Sequence, residues 1–416
     1  MSWAVWITGP PGSGKSVLAR AVAAELDAHL ERPVVLELDE IRKVLTPSPT
    51  YSDIERDLVY RALVYMAAQL TEIGRPVIID ATAHRRAWRD LARRSIAHFA
   101  EVQLVCPLEM CREREARRVG GHAPRGIYAR AGHQGARVPG VNVPYETTFD
   151  AELTIDTSRE SLALSASRVA GLVRSRFARR SEPLTGEPPA GMTAAGWAVW
   201  ITGLPGSGKT TLAWSAAEAL LARSISVRVL DLTEVRAALL AGHPESEAAR
   251  EIVHRTLAYT VKLLTDAGVA VIVDATASRR AWRQLARDLV THFAEVQLVC
   301  PHELCGARER ATRWGLGAWS IAPARARRLA DTPDVVLDYE PALHPELVLH
   351  TDTQTLWRTL ESLLRLAERL HLTAAAGDNS ASRNSAGKFL TRPAAGRRIH
   401  RHFTKRTGHR QKMPTL

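Results

Sequence analysis

Residues 9–16 read GPPGSGKS and residues 203–210 read GLPGSGKT. Both fit the spacing G-x-x-x-x-G-K-[ST], and each follows an apolar run and precedes a helical one. Glycines Gly9, Gly12 and Gly14, and Gly203, Gly206 and Gly208 in the second string, let the backbone curl so that successive N–H groups face phosphate oxygens. Pro10, Pro11 and Ser13, and Leu204, Pro205 and Ser207, fill the turns between them. The helix that follows adds its positive end. Lys15 and Lys209 are placed to reach the β- and γ-phosphates, and Ser16 and Thr210 to offer a hydroxyl to Mg2+. The expected ligand is a nucleotide, twice.

Acids near these loops bear on the reaction. PVIID ends in Asp80, and the second string keeps it as Asp274. At a strand's carboxyl end such an acid orders Mg2+ and water, though capping of the next helix is an alternative reading. Asp39, expected at the end of the second strand, faces the same crevice and can accept a hydroxyl proton or hold the metal through water. At the corresponding place the second half has Thr233, and Asp231 stands where the first has Glu37. Arginines gather around: Arg42, Arg56, Arg61, Arg86, Arg112, Arg114, Arg117 and Arg118. Of these, Arg42, Arg56, Arg61, Arg86 and Arg114 recur 194 positions later, which favours phosphate clamps over solvated charges. Arg42, Arg56 and Arg61 are assigned to the acceptor and Arg114 to ATP.

The elements that position these residues come in two sets. Residues 81–111 match residues 275–305 at 23 of 31 positions, with the same offset that separates Lys15 from Lys209. A period this long is a duplicated domain rather than a solenoid. Within each copy short β-branched runs (WAVWITG, PVVLELD, PVIID, EVQLVC, ELTIDT) alternate with helical stretches. Leu18, Val22, Leu26 and Leu30 share one helical face; residues 53–74, 87–99 and 162–177 read as further helices. Such alternation predicts an α/β fold, a parallel sheet flanked by helices in each of two tandem P-loop domains. The expected units are residues 1–178, a Pro- and Gly-rich linker 179–195, residues 196–372, and a tail 373–416.

The charge is uneven. The chain carries +12, but residues 373–416 hold ten Lys or Arg against Asp378 alone, so only +3 is left elsewhere. The tail is expected to be disordered, with nucleic-acid contact as its less favoured use and plain solvation as the favoured one. No apolar run approaches the roughly 20 residues of a membrane helix, and the N-terminus lacks a signal peptide's basic lead, so the chain is read as cytoplasmic. Cys106 and Cys111, and Cys300 and Cys305, form two Cys-x4-Cys pairs without the further ligands zinc needs; they read as packing residues.

The sequence resembles the adenylylsulfate (APS) kinase family. VWITGLPGSGKTTLA in copy two looks like that family's opening strand and loop; CPLEMCRER, RGIYARAG and PGVNVPYETTFDAELTIDT in copy one look like its lid and closing strand. The resemblance implies transfer of the γ-phosphoryl of MgATP to the 3′-hydroxyl of APS, a step of sulfate activation. It implies that Asp39 and Arg42 match the second Asp and the Arg of a DGDNIR-type stretch. Arg56, with Tyr51 for a phenylalanine, matches an acceptor-binding segment. Arg125, Gly126 and Tyr128 match a lid segment, and Asn142, Pro144 and Tyr145 the end of the lid. The chain departs from the family at Ala83-His84-Arg85-Arg86, where the family has Ser-Pro-Tyr-Arg, and at Val59, where it has Asn. Asp80 in an IIDAT string is more typical of other P-loop kinases, so a different small-molecule or polynucleotide-end hydroxyl remains open as acceptor. So does a nucleotide-gated binding module, and so does a homo-oligomer. Copy two has Trp319 and Ala322 at the places of Arg125 and Tyr128, which reads as a degenerate lid on an intact nucleotide loop.

Overall fold

The computed structural model describes residues 2–29, 31–118, 120, 122, 126–132, 138–148, 150–177, 196–313 and 339–386. The linker 179–195, Arg125, Trp319, Ala322 and residues 387–416 therefore lie outside the described residues, and with them the second lid and most of the basic tail.

The first copy runs β1 (Ala4–Thr8), α1 (Lys15–Asp27), β2 (Val34–Glu37), α2 (Leu38–Leu45), α3 (Asp53–Glu72), β3 (Val77–Asp80), α4 (Arg86–Ser95), β4 (Phe99–Val105), α5 (Leu108–Arg117), β5 (Leu153–Asp156) and α6 (Leu162–Phe177). All its strands are parallel, in the order β2-β3-β1-β4-β5. The short β-branched runs are buried because helices cover both faces of such a sheet. One core gathers Val5, Ile7, Ile78 and Val102 with Leu18, Val22 and Leu26 of α1 and Val169 and Val173 of α6. Chain order reverses beside β1, so the strands' carboxyl ends leave a crevice there. The phosphate loop, Asp80 and Cys106 all leave strands at that end. Asp39 is one step further on than expected: β2 stops at Glu37, and Asp39 lies in the first turn of α2.

The second copy repeats this plan: β6 (Ala198–Thr202), α7 (Lys209–Leu221), β7 (Val227–Asp231), α8 (Leu232–Leu240), α9 (Glu247–Asp266), β8 (Ala270–Asp274), α10 (Arg280–Leu289), β9 (Phe293–Val299), α11 (His302–Arg313), β10 (Leu347–His350) and α12 (Leu356–Ala386). Its parallel order, β10-β9-β6-β8-β7, is the first sheet's read from the other edge. Helix α12 runs to Ala386, past Thr373 where the tail was expected to begin, and Ala374 is fully buried in the second core.

Helix α3 explains how the copies meet. Leu58, Val59, Tyr60, Leu63, Val64, Met66, Ala67 and Leu70 are all buried, which is too many for one helix face. A helix apolar nearly all round is covered on all sides. One side of α3 faces its own sheet and the other meets α8 and α9, so a single hydrophobic cluster runs through both copies. Polar contacts flank the seam: Arg228 donates to Gln69 at 2.9 Å, Arg75 to the Ala267 carbonyl at 2.7 Å, and Arg255 to the Val44 carbonyl at 3.1 Å.

Candidate functional site

The crevice of copy one opens into a cavity of about 780 Å³. Its floor is the phosphate loop. Gly14 takes φ 98° at the start of α1, a left-handed conformation that admits glycine readily. At Gly12, φ 77°, a Cβ would stand 2.2 Å from the Cys111 carbonyl oxygen, so the loop can press against α5 only without a side chain. No side chain caps α1, which leaves its first-turn N–H groups for a ligand. Copy two repeats both features: Gly208 at φ 98°, and a Cβ on Gly206 that would meet the Cys305 carbonyl at 2.2 Å.

Lys15 donates to the Pro10 carbonyl at 3.0 Å. Burial pulls its pKa below the usual lysine value, against the attraction of Asp80 and Asp39. Asp80 is 5% exposed. Burial pushes its carboxyl up to about 6, while Lys15 and a hydrogen bond from Ser16 pull the other way. Helix α4 starts after Arg85, so Asp80 is not its cap. A serine hydroxyl against a buried carboxylate, behind a lysine, is a pair of hard oxygens that fits Mg2+. In copy two Thr210 bonds Asp274 in the same way, and burial with repulsion from Asp231 holds that carboxyl at about 6. Lys209 donates to the carbonyls of Gly203 and Leu204, at 3.0 and 2.9 Å.

The opposite wall holds Asp39, Arg42, Tyr51 and Arg56, all lining the cavity. Ser52 caps α3 by accepting from Glu55 N–H at 3.2 Å, and Glu55 turns back to accept from Thr50 and Tyr51 N–H at 2.6 and 3.1 Å. This variant of the capping box pins the turn before the helix. It holds Tyr51 at φ 54°, a strained conformation for an aromatic residue. The Tyr51 ring lies 5.6 Å from the Arg42 guanidinium and 5.8 Å from that of Arg56. His84, 5% exposed, faces the same cavity; burial and the charges of Arg56 and Arg85 pull its pKa down to about 4, so it is neutral at physiological pH.

Other expected site residues do different work. Arg114 lines the cavity, but it donates to the Thr157 hydroxyl and carbonyl at 3.0 and 2.8 Å, and Thr157 donates to the Ser13 carbonyl. It ties the closing strand to the phosphate loop. Tyr128 donates to the Pro11 carbonyl at 2.6 Å, laying the lid on the outside of that loop. Asn142 braces the lid itself, accepting from Val138 N–H at 2.6 Å and donating to the Ala131 carbonyl at 3.0 Å. Arg61 is not in the cavity. It pairs with Asp57 at 2.6 Å on the face of α3 that looks toward copy two, because residues 56 and 61 are too far around a helix to share a side. Arg86 is also elsewhere, half-buried between Asp90 and Asp150. The four cysteines are free thiols, at a strand end and in the following helix as expected.

Arg89 was passed over in the sequence. It is buried against Glu101 at 2.9 Å and donates to the carbonyls of Ala83 and Glu146, fixing the His84 loop to the end of the lid. Its recurrence as Arg283, which pairs with Glu295 at 2.6 Å, was the available signal. Glu245 was passed over too. It stands at Tyr51's place in copy two and lies 2.8 Å from Arg236 and 3.8 Å from Arg250, the counterparts of Arg42 and Arg56.

Known proteins resemble this chain in both halves. The adenylylsulphate kinase family profile matches residues 1–156 and again 195–350. A probable adenylyl-sulfate kinase of Archaeoglobus fulgidus is 34% identical over 160 residues, 38% of this chain and 98% of that protein. An adenylyl-sulfate kinase of Synechococcus sp. is 35% identical over 174 residues, 42% of this chain and 95% of that protein. Among solved structures, the Mycobacterium tuberculosis APS kinase in complex with AMPPNP and APS is 29% identical, with a TM-score of 0.35, covering 42% of this chain and 98% of that one. Among the described residues no helix is long and apolar enough to cross a membrane. With a phosphate loop, its lysine and a buried acid in each half, and the family profile matched twice, the chain belongs to the adenylylsulphate kinase family, as two tandem units of a phosphotransferase acting on a hydroxyl.

Proposed function

We propose that residues 1–178 transfer the γ-phosphoryl group of ATP to the 3′-hydroxyl of adenylylsulfate, giving 3′-phosphoadenylylsulfate and ADP. The observation that carries this is the placement of Arg42, Tyr51 and Arg56 across one cavity from Lys15 and Asp80. On this reading Gly9 to Ser16 cradle the phosphates, and Ser16 and Asp80 hold Mg2+, which neutralises phosphate charge when bound. Lys15 stabilises charge on the transferring group. Arg42 and Arg56 hold the acceptor's anionic phosphosulfate, and Tyr51 offers a face to its planar base. Asp39 takes the hydroxyl proton. Arg125, Tyr128 and Asn142 belong to a lid that excludes water and so favours transfer to an alcohol over hydrolysis.

Residues 196–372, joined through 179–195, form on the same reading a second domain that binds MgATP through residues 203–210 and Asp274 but does not hold the acceptor. The α12 helix extends this unit to Ala386. Coupled ADP release from the purified chain tests the proposal, with APS, nucleosides and 5′-hydroxyl oligonucleotides offered in turn. Turnover is expected with APS alone. A second reading, another small-molecule alcohol as acceptor, draws on His84, which puts a neutral imidazole in the wall where the family has proline. Turnover confined to an alcohol other than APS would replace the first reading by the second.

A further inference from the structure

We propose that copy two completes the acceptor wall of copy one through His243, a positioning residue reaching across the seam. The inference rests on the acceptor assignment above. Helix α8 is capped by Asp231, whose carboxylate accepts from Thr233 N–H at 2.7 Å and faces Asp274 in the second nucleotide crevice. The helix ends in a turn at Gly242, φ 82°, that brings His243 N–H to the Leu240 carbonyl at 2.8 Å. From there the His243 ring crosses to copy one, its Nε2 lying 2.6 Å from Asp57 Oδ2.

Asp57 is a junction. Its Oδ2 also accepts from Arg61 Nε at 2.6 Å, and its Oδ1 accepts from Trp88 Nε1 at 2.7 Å. Burial alone would raise its pKa, but the hydrogen bonds from Trp88, Arg61 and His243 outweigh that and keep it ionised. An ionised carboxylate only accepts, so the His243 Nε2 carries the hydrogen. The carboxylate in turn sets the indole of Trp88. That ring stacks on Tyr60 at 3.9 Å and meets the His84 ring edge-on at 5.0 Å. Tyr60 accepts from Ala83 N–H at 2.9 Å, and both Tyr60 and His84 line the cavity. Three contacts thus lead from copy two to the surface an acceptor would touch: His243 to Asp57, Asp57 to Trp88, and Trp88 to Tyr60 or His84.

The arrangement is one-way. Copy one has Pro49 where copy two has His243, so it lends no such donor in return. Glu251, the counterpart of Asp57, takes Trp282 at 2.6 Å and Arg255 from its own copy. Only the copy with the Tyr51 wall receives the histidine.

The test is steady-state kinetics of the full chain with APS and MgATP. His243→Ala is expected to raise the KM for APS about tenfold, with kcat and the KM for ATP within about twofold of the parent. His243→Gln, whose amide nitrogen can replace Nε2, should recover most of the loss. Arg228→Ala removes a seam contact to Gln69 and Glu72 far along α3, and should leave all constants unchanged. An unchanged KM for APS in His243→Ala, or an equal rise in Arg228→Ala, overturns the proposal. The indole N–H resonance of Trp88, assigned through Trp88→Phe, reads the same link without an acceptor. It should move in His243→Ala and return in His243→Gln; if it stays put in His243→Ala, the link is absent. If the parent chain fails to use APS, the acceptor reading falls and this resonance still decides the role of His243.

Discussion

Tyr51 and Glu245 occupy the same point of the same fold, and they treat the arginines beside them in opposite ways. In copy one an aromatic ring lies against Arg42 and Arg56. In copy two a carboxylate lies against Arg236 and Arg250. Below them the two nucleotide floors are nearly superimposable in chemistry: the same glycine conformations, a buried acid bonded to the loop's Ser or Thr, a lysine on loop carbonyls. The two copies therefore share the floor and differ at the wall above it. Arg42 of copy one has a carboxylate partner too, Glu55 at 3.6 Å, so what copy two adds is an acid in place of the ring, beside both guanidinium groups.

The largest expected effect tests whether one copy carries the turnover. Lys15→Ala removes the positive charge nearest the transferring group and should lower kcat/KM by about 3 kcal/mol, roughly a hundredfold. Lys209→Ala should leave turnover within about twofold while abolishing one of two ATP-binding events in calorimetry. Comparable losses of turnover in the two variants would erase the distinction between the copies.

The second effect transplants the difference. Tyr51→Glu places copy two's acid in copy one, and like-charge contact with an anionic ligand costs more than a lost ring. The KM for APS should rise about thirtyfold, or roughly 2 kcal/mol, with the KM for ATP unchanged. Tyr51→Gln, without the charge, should raise it by less. If the two substitutions act alike, shape rather than charge separates the copies.

Which parts of this were legible follows from what sequence patterns encode. The sheets and loops were, because β-branched runs and glycine spacing are local signals. The place of Asp39 was off by part of a turn, since nothing in VVLELDEI marks where a strand becomes a helix. Arg61 was misplaced for a deeper reason. Helix α3 is apolar on the side facing its sheet and on the side facing copy two, and composition does not say which neighbour covers which side. Recurrence of Arg61 as Arg255 suggested a ligand; the shared cause is that both flank one seam. Glu245 was visible as a letter, but its meaning depends on two arginines held near it by separate elements. The second unit runs past its expected boundary at residue 372 because Ala374, just beyond it, still finds a core to pack into.

The smallest effect concerns what the copies share. Asp80 and Asp274 both have carboxyl pKa values raised to about 6, in each case first of all by burial. Below that value each carboxyl holds a proton and cannot hold a cation, so affinity for MgATP should fall in both copies alike. With a single proton displaced, the Kd should be about twofold above its plateau at pH 6 and rise toward tenfold per unit below. Calorimetry of Lys209→Ala reports copy one and that of Lys15→Ala reports copy two, so each curve is read separately. Stability without nucleotide carries the opposite sign. Between its unfolded value of 3.8 and about 6, folded Asp80 binds a proton that the unfolded chain does not, so its contribution to stability is present at acid pH and is lost as pH rises through 6. Asp80→Asn should therefore gain stability relative to the parent above pH 6 while losing MgATP affinity there. A pH-independent Kd in one copy alone would mean that the nucleotide floors have diverged as well as the acceptor walls.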